Sequence, residues 1–142
     1  MIRSELTRKT AIKPSTKRMK ASRSTGTPTK DQRSRIDRIK RMECLACRHN
    51  RITHTRPAAP HEGCDAHHLL SGGQRIGHAA TIGLCPWHHR AVKPDSFGWM
   101  GVSGCIEAFG PSVATGSKAF HETYGSDEEL LAMQNQLLDG SE

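Results

Sequence analysis

Two short cysteine motifs constrain this chain more than any other feature. Cys44 and Cys47 form a C-x-x-C pair, and Cys85 and His88 form a C-x-x-H pair of the same spacing. Three thiolates and one imidazole make a tetrahedral ligand set, which is typical of a closed structural zinc site. A redox role for the C-x-x-C pair would need a thioredoxin-like βαβ unit, and the sequence shows no such pattern. The motifs therefore predict a small domain stabilised by Zn²⁺.

The separation of the two motifs indicates that a folded segment lies between them. Thirty-seven residues separate Cys47 from Cys85, more than an ordinary zinc finger contains. Cys64 lies in this insert and is an alternative to Cys85 as the third thiolate, whereas Cys105 is expected to be a thiol of a loop or of the core. With 35% apolar residues the core must be small, and small cores often need a metal or a disulfide.

The positive charge is confined to the N-terminal part of the chain. Residues 1–41 contain fourteen Lys or Arg against three acidic residues, although the whole chain has a net charge of only +7. Such an arm is suited to a polyanion, usually nucleic acid, and a solubilising extension is the alternative. We therefore predict a largely disordered binding arm over residues 1–40 and a folded domain over 41–142. The proposed contacts are Lys9, Lys13, Lys17, Arg18, Lys20, Arg23, Arg33 and Arg35.

Helical patterns occur at both ends of the expected domain. Ile36, Ile39 and Met42 predict a short basic helix that Asp31 caps. The Gly/Ser-rich segment 94–116 is expected to be a long loop, and residues 117–124 a short helix that ends at Gly125. A second helix begins at Ser126, whose S-x-x-E pattern is a capping box. The apolar positions of this helix, which should face the core, are Leu130, Met133, Leu137 and Leu138.

Nothing in the sequence predicts contact with a membrane. No apolar run approaches the ~18–20 residues that a membrane span needs. The first five residues lack the apolar core of a signal peptide, although a basic, Ser/Thr-rich start leaves a transit peptide as an alternative.

Histidines cluster within the insert and next to the second cysteine motif. Asp65-Ala66-His67-His68 lies between the two motifs, and His89 directly follows His88. Adjacent residues on a strand point to opposite faces, so one histidine of the pair can bind a metal while the other activates water. A histidine suits general-base chemistry because its unperturbed pKa lies near neutral pH.

These motifs resemble those of HNH (ββα-metal) nucleases, in which an acidic-x-His-His strand is followed by a second strand and by a helix beginning Leu-Cys. The resemblance implies an α+β domain that cuts DNA. It implies that His67 and His89 hold a catalytic Mg²⁺ or Mn²⁺, that His68 is the general base, and that Asp65 orients the site. The Asn that gives the motif its middle letter would fall at Ala80, and His78 or Thr81 would take its place.

A narrower resemblance is to the phage recombination enhancement function (Ref) group of RecA-dependent nucleases. It covers about residues 40–138 and includes the stretch from His67 to His78, the stretch from Thr81 to Arg90, and the segment from Lys118 to Gly125. It implies a phage or prophage origin, DNA as the substrate, a RecA filament as a partner, and a cytoplasmic, nucleoid-associated location in the bacterial host.

Two other functions are compatible with the same residues. One is a zinc-containing DNA-binding recombination accessory protein that has lost catalysis. A catalytically inactive domain, however, has no reason to retain His67, His68 and His89 together. The other is an RNA-binding protein with a zinc knuckle, which would leave most of the clustered histidines without a role.

Overall fold

The computed structural model describes residues 25–140, which form an α+β structure with two small antiparallel sheets. The α+β class expected from the sequence is confirmed. The expectations for residues 1–24, including arm contacts at Lys9, Lys13, Lys17, Arg18, Lys20 and Arg23, lie outside the described residues. None of the helices within 25–140 has the length and apolar character needed to cross a membrane. The elements are α1 (Lys30–Arg41), α2 (Leu45–Thr53), β1 (Asp65–His68), β2 (Leu70–Ser71), β3 (Gln74–Arg75), β4 (Thr81–Leu84), α3 (Pro86–Arg90), a 3-10 helix (Asp95–Phe97), α4 (Val102–Phe109), α5 (Ser117–Tyr124) and α6 (Asp127–Asp139).

The antiparallel pair β1–β4 forms the centre of the domain. Asp65 lies opposite Leu84 and His68 lies opposite Thr81, and the chain passes from β4 directly into α3. All four residues of β4 are buried because α1, α2 and α6 contact this strand. Gly83 permits the close approach, since a Cβ there would lie 3.1 Å from the side chain of Ile39. Strands β1 and β4 and helix α3 therefore form a unit whose strand β4 is buried along its whole length.

Helix α1 packs against both strands of the central pair. Its Ile39 is completely buried. The predicted cap at Asp31 is wrong: the Thr29 side chain accepts a hydrogen bond from the Gln32 backbone N–H, and the Gln32 side chain bonds back in a capping box. Thr29 is the N-cap rather than Asp31 because its capping box with Gln32 satisfies two backbone N–H groups at once. The predicted boundary between arm and domain at residue 40 stays a prediction, and all of α1 except Arg41 lies on its arm side.

Arg35, one of the proposed DNA contacts, joins three elements of the domain. Its guanidinium donates to the Thr81 carbonyl at 2.9 Å, to the Thr81 hydroxyl at 3.3 Å and to the Asn135 side chain at 2.7 Å. It therefore ties α1 to β4 and α6. Arg33, two residues earlier, is exposed.

We expect this difference to separate two otherwise similar substitutions. Arg35→Ala should lower the free energy of unfolding by about 1–3 kcal/mol, because it leaves the Thr81 carbonyl without this donor. Arg33→Ala should leave stability within about 0.5 kcal/mol of wild type, as surface substitutions usually do. Urea unfolding of the two variants measures both values, and equal stabilities would contradict the bridging role of Arg35.

The expectation of a long loop over residues 94–116 is wrong. This segment contains the 3-10 helix and α4, and it buries Cys105 and Phe109. Val102, Cys105, Ile106 and Phe109 follow helical spacing, but the surrounding glycines obscured the pattern. Cys105 is therefore a core thiol.

The two predicted C-terminal helices are confirmed. Helix α5 ends at Gly125, and α6 begins with a capping box between Ser126 and Glu129. Leu130 and Leu138 of α6 are buried. Its Met133 and Leu137 are partly buried against the core.

Candidate active site

The two cysteine motifs converge on one point inside the domain. The ligand atoms of the four residues all lie within 4.8 Å of one another, and every one of these residues is buried. The His88 Nδ1 atom lies 3.2 Å from the sulfur of Cys85 and 3.6 Å from those of Cys44 and Cys47. A tetrahedral zinc ion, with bonds of about 2.3 Å to sulfur and about 2.0 Å to nitrogen, has edges of about 3.5–3.8 Å. The distances from His88 Nδ1 are close to these edges, and the Cys47 and Cys85 sulfurs lie 4.0 Å apart, so the predicted Cys3His set could hold a zinc ion.

The close approach of the thiols shifts the pKa values of Cys85 and Cys47 in opposite directions. Hydrogen bonds with Cys44 and Cys47 lower the pKa of Cys85 to about 4. The hydrogen bonds of Cys47 with Cys44 and Cys85 raise the pKa of Cys47 far above its usual value. A divalent ion bound between the sulfurs would stabilise three thiolates together.

A single backbone carbonyl fixes the orientation of the imidazole in this cluster. The Nε2 atom of His88 lies 3.0 Å from the Phe109 carbonyl oxygen, which also accepts hydrogen bonds from Asn50 at 2.8 Å and Tyr124 at 3.1 Å. Donation from Nε2 leaves Nδ1 as the ligand atom, the usual arrangement for a metal-binding histidine. The residue after Phe109 must be glycine, because a Cβ at Gly110 would lie 1.9 Å from the Tyr124 hydroxyl.

Cys64 is not part of the cluster. Its buried thiol donates to the Met42 carbonyl at 3.1 Å, and burial raises its pKa. The convergent set among the described residues contains Cys85 instead. The alternative in which Cys64 replaces Cys85 is therefore not supported.

A second group of side chains lies where β1 meets α3. The rings of His67 and His89 are 4.9 Å apart between centroids. Asp65 Oδ2 accepts a hydrogen bond from His89 Nδ1 at 2.9 Å and one from Arg90 Nε at 2.8 Å. Because Asp65 engages Nδ1 of His89, Nε2 keeps its lone pair for a metal.

Burial and the neighbouring charges favour a neutral His67. Burial and the neighbouring His89 lower the pKa of His67 to about 4, so its imidazole has a free lone pair at neutral pH. Burial raises the pKa of Asp65, but the hydrogen bonds from His89 and Arg90 lower it by more. The pair of imidazoles thus lies beside an ionised carboxylate.

His68 points away from this pair and forms a second one. Its Nε2 atom lies 3.0 Å from Nδ1 of His78, and Nε2 of His78 lies 2.9 Å from the Gly26 carbonyl oxygen. His78 is only 9% exposed, and the Thr81 hydroxyl donates to its carbonyl at 3.0 Å. Of the two candidates for the role that Ala80 cannot fill, His78 is the one whose side chain contacts His68.

Sequence reasoning missed three side chains near this group. Arg90 shares Asp65 with His89, and its position directly after the His-His pair was the available clue. His121 and Asp127 form a 2.7 Å pair between α5 and α6, and both influence the pKa of His67 electrostatically. Nothing in the local sequence around His121 indicates that it lies near β1.

The chain was compared with models of protein families. A family model described as recombination enhancement, RecA-dependent nuclease matches residues 28–139. The matched span contains both cysteine motifs and all nine histidines. The searches of curated proteins and of solved structures returned no significant match.

Proposed function

This chain belongs to the recombination-enhancement family of RecA-dependent nucleases, and from that membership we propose that it is a metal-dependent DNA endonuclease of the HNH type. The observation that carries the proposal is that the adjacent residues His67 and His68 of β1 contact different partners. His67 faces His89, while His68 faces His78. Such an arrangement can supply two groups that one-metal hydrolysis of a phosphodiester uses, an ion that stabilises the developing charge and a base that accepts the proton of water.

In this proposal His67 and His89 hold the catalytic divalent ion. When bound, the ion would stabilise the negative charge that develops on the phosphate and on the leaving 3′ oxygen. Asp65 fixes the ring of His89 through Nδ1, and Arg90 keeps the same carboxylate ionised. Imidazole ligands favour transition metals, so we expect Mn²⁺ to support more activity than Mg²⁺.

His68 accepts the proton of the attacking water in the proposed reaction. Its side chain is half-buried, and burial lowers its pKa, with further contributions from Arg75, His78 and His89. A lowered pKa keeps the ring unprotonated at neutral pH, as a general base requires. His78 acts as the positioning residue, because it contacts His68 rather than the reacting groups. Zn²⁺ in the Cys3His cluster has a structural role.

The direct test is cleavage of plasmid and single-stranded DNA with Mn²⁺ or Mg²⁺, in the presence and absence of RecA filaments. We expect metal-dependent nicking that RecA filaments stimulate and that chelation abolishes. His68→Ala serves as the control for contaminating nucleases. Cleavage that His68→Ala retains in full would contradict the proposed site, and cleavage that RecA does not affect would contradict the proposed partner.

A catalytically inactive DNA-binding accessory protein is the second candidate. The observation that favours it is Ala80, which stands where the HNH motif has its asparagine. This candidate predicts DNA binding without cleavage under every metal condition in the same assay.

We propose that the basic arm determines affinity for DNA rather than chemistry. Removing residues 1–24 deletes eight Lys or Arg and one acidic residue. For each phosphate that the shortened chain no longer neutralises, the slope of log K against log salt should flatten by about 0.9 on duplex DNA. Binding titrations at several salt concentrations measure this slope, with zinc content and the unfolding midpoint as controls for the fold. An unchanged slope would assign the arm to a protein partner.

A further inference from the structure

A chain of hydrogen bonds connects the proposed general base to the segment that precedes α1. It runs from His68 through His78 to the Gly26 carbonyl, with separations of 3.0 and 2.9 Å. Gly26 and His78 are 52 residues apart in the sequence. The matched family span begins at residue 28, so Gly26 lies outside it.

The groups joined by these hydrogen bonds determine which ring nitrogens of His78 and His68 carry a proton. A carbonyl oxygen can only accept, so His78 Nε2 must carry the hydrogen that is shared with Gly26. With His78 neutral, its Nδ1 is then an acceptor and receives the hydrogen from Nε2 of His68. A neutral His68 that is protonated on Nε2 has its lone pair on Nδ1.

We propose that the Gly26 carbonyl is a positioning group of the active site, which fixes the tautomer of His78 and thereby leaves Nδ1 of His68 as the atom that accepts the proton from water. The inference rests on the proposed nuclease function. Without this anchor His78 can adopt its other tautomer and donate from Nδ1, which forces His68 to carry its proton on Nδ1. That tautomer of His68 has no lone pair on the catalytic atom.

The backbone at this position makes the inference testable by a side-chain substitution. Gly26 has a φ of +74°, and within the described residues 25–140 no atom lies within 4 Å of where its Cβ would be. Asn tolerates this left-handed conformation, whereas a β-branched residue does not. Gly26→Asn should therefore keep the carbonyl in place, and Gly26→Val should displace it without changing charge.

The experiment compares the full-length wild type, Gly26→Asn and Gly26→Val by ¹⁵N NMR of the histidine rings and by cleavage rate. Wild type and Gly26→Asn should show His68 protonated on Nε2 and unprotonated on Nδ1. Gly26→Val should show a mixture of tautomers and a rate lower by about two- to tenfold, the population change that one hydrogen bond can produce. Zinc content and DNA affinity should be equal in all three.

A double-mutant cycle distinguishes this role from general loop strain. In a His78→Ala background, Gly26→Val should lower the rate no further, because the carbonyl acts only through His78. An equal drop in both backgrounds, or a wild-type His68 protonated on Nδ1, would overturn the proposal. If the wild type does not cleave DNA, the proposed function and the catalytic part of this inference both fail. The ring shifts still decide whether Gly26 fixes the tautomer.

Discussion

Cys47→Ser is expected to lose its bound zinc and its cooperative unfolding transition. The substitution removes one of the four buried side chains of the Cys3His cluster, whose sulfur and nitrogen atoms all lie within 4.8 Å of one another. Structural zinc sites contribute about 10–16 kcal/mol of apparent binding free energy, which becomes folding free energy because the site does not exist in the unfolded chain. A domain of ordinary size has only about 5–15 kcal/mol of net stability. Metal analysis and thermal unfolding measure the two losses.

Cys64→Ser is the matched control, because it makes the same chemical change at a neighbouring thiol outside the cluster. A serine hydroxyl can keep the hydrogen bond that Cys64 donates to the Met42 carbonyl. This variant should retain about one zinc per chain. Equal zinc content in wild type and Cys47→Ser, or loss of zinc in Cys64→Ser, would show that the ligands are assigned incorrectly.

The sequence predicted the Cys3His cluster, which could hold zinc, because each motif is local. Cys44 and Cys47 lie at the start of α2, and Cys85 and His88 lie at the start of α3, so each pair is brought together by one helical turn. The helix at Ser126 was predicted for the same reason, since a capping box involves residues three apart. Local patterns of this kind are visible without the tertiary structure.

The long-range contacts of the proposed catalytic histidines and of Arg35 could not be predicted in this way. The partner of His78 is a backbone carbonyl, which every residue has and no sequence pattern marks. The partners of Arg35 on β4 and α6 lie 46 and 100 residues away. Such contacts depend on how the helices pack around β4, and only the assembled fold determines that.

The second large effect is expected for His68→Ala. This variant should bind zinc and fold as the wild type does, because the hydrogen bond of the His68 ring goes to His78 and not to the Cys3His cluster or the carboxylate of Asp65. Removal of a general base typically lowers the rate by ~10²–10⁴-fold. His61→Ala is the matched control, since its ring bonds to the Val92 carbonyl and has no proposed catalytic role.

The dependence on metal concentration separates the general base from the metal ligands. His67→Ala and His89→Ala should weaken binding of the catalytic ion, so excess Mn²⁺ or Mg²⁺ should partly restore their rates. His68→Ala should stay slow at every concentration, because more metal cannot replace a missing proton acceptor. Cleavage rates over a metal titration, at saturating DNA, test this distinction. Rescue of His68→Ala as complete as that of His67→Ala would contradict the assignment of the two roles. Wild-type rates in all three variants would show that the nuclease site is not formed by these residues.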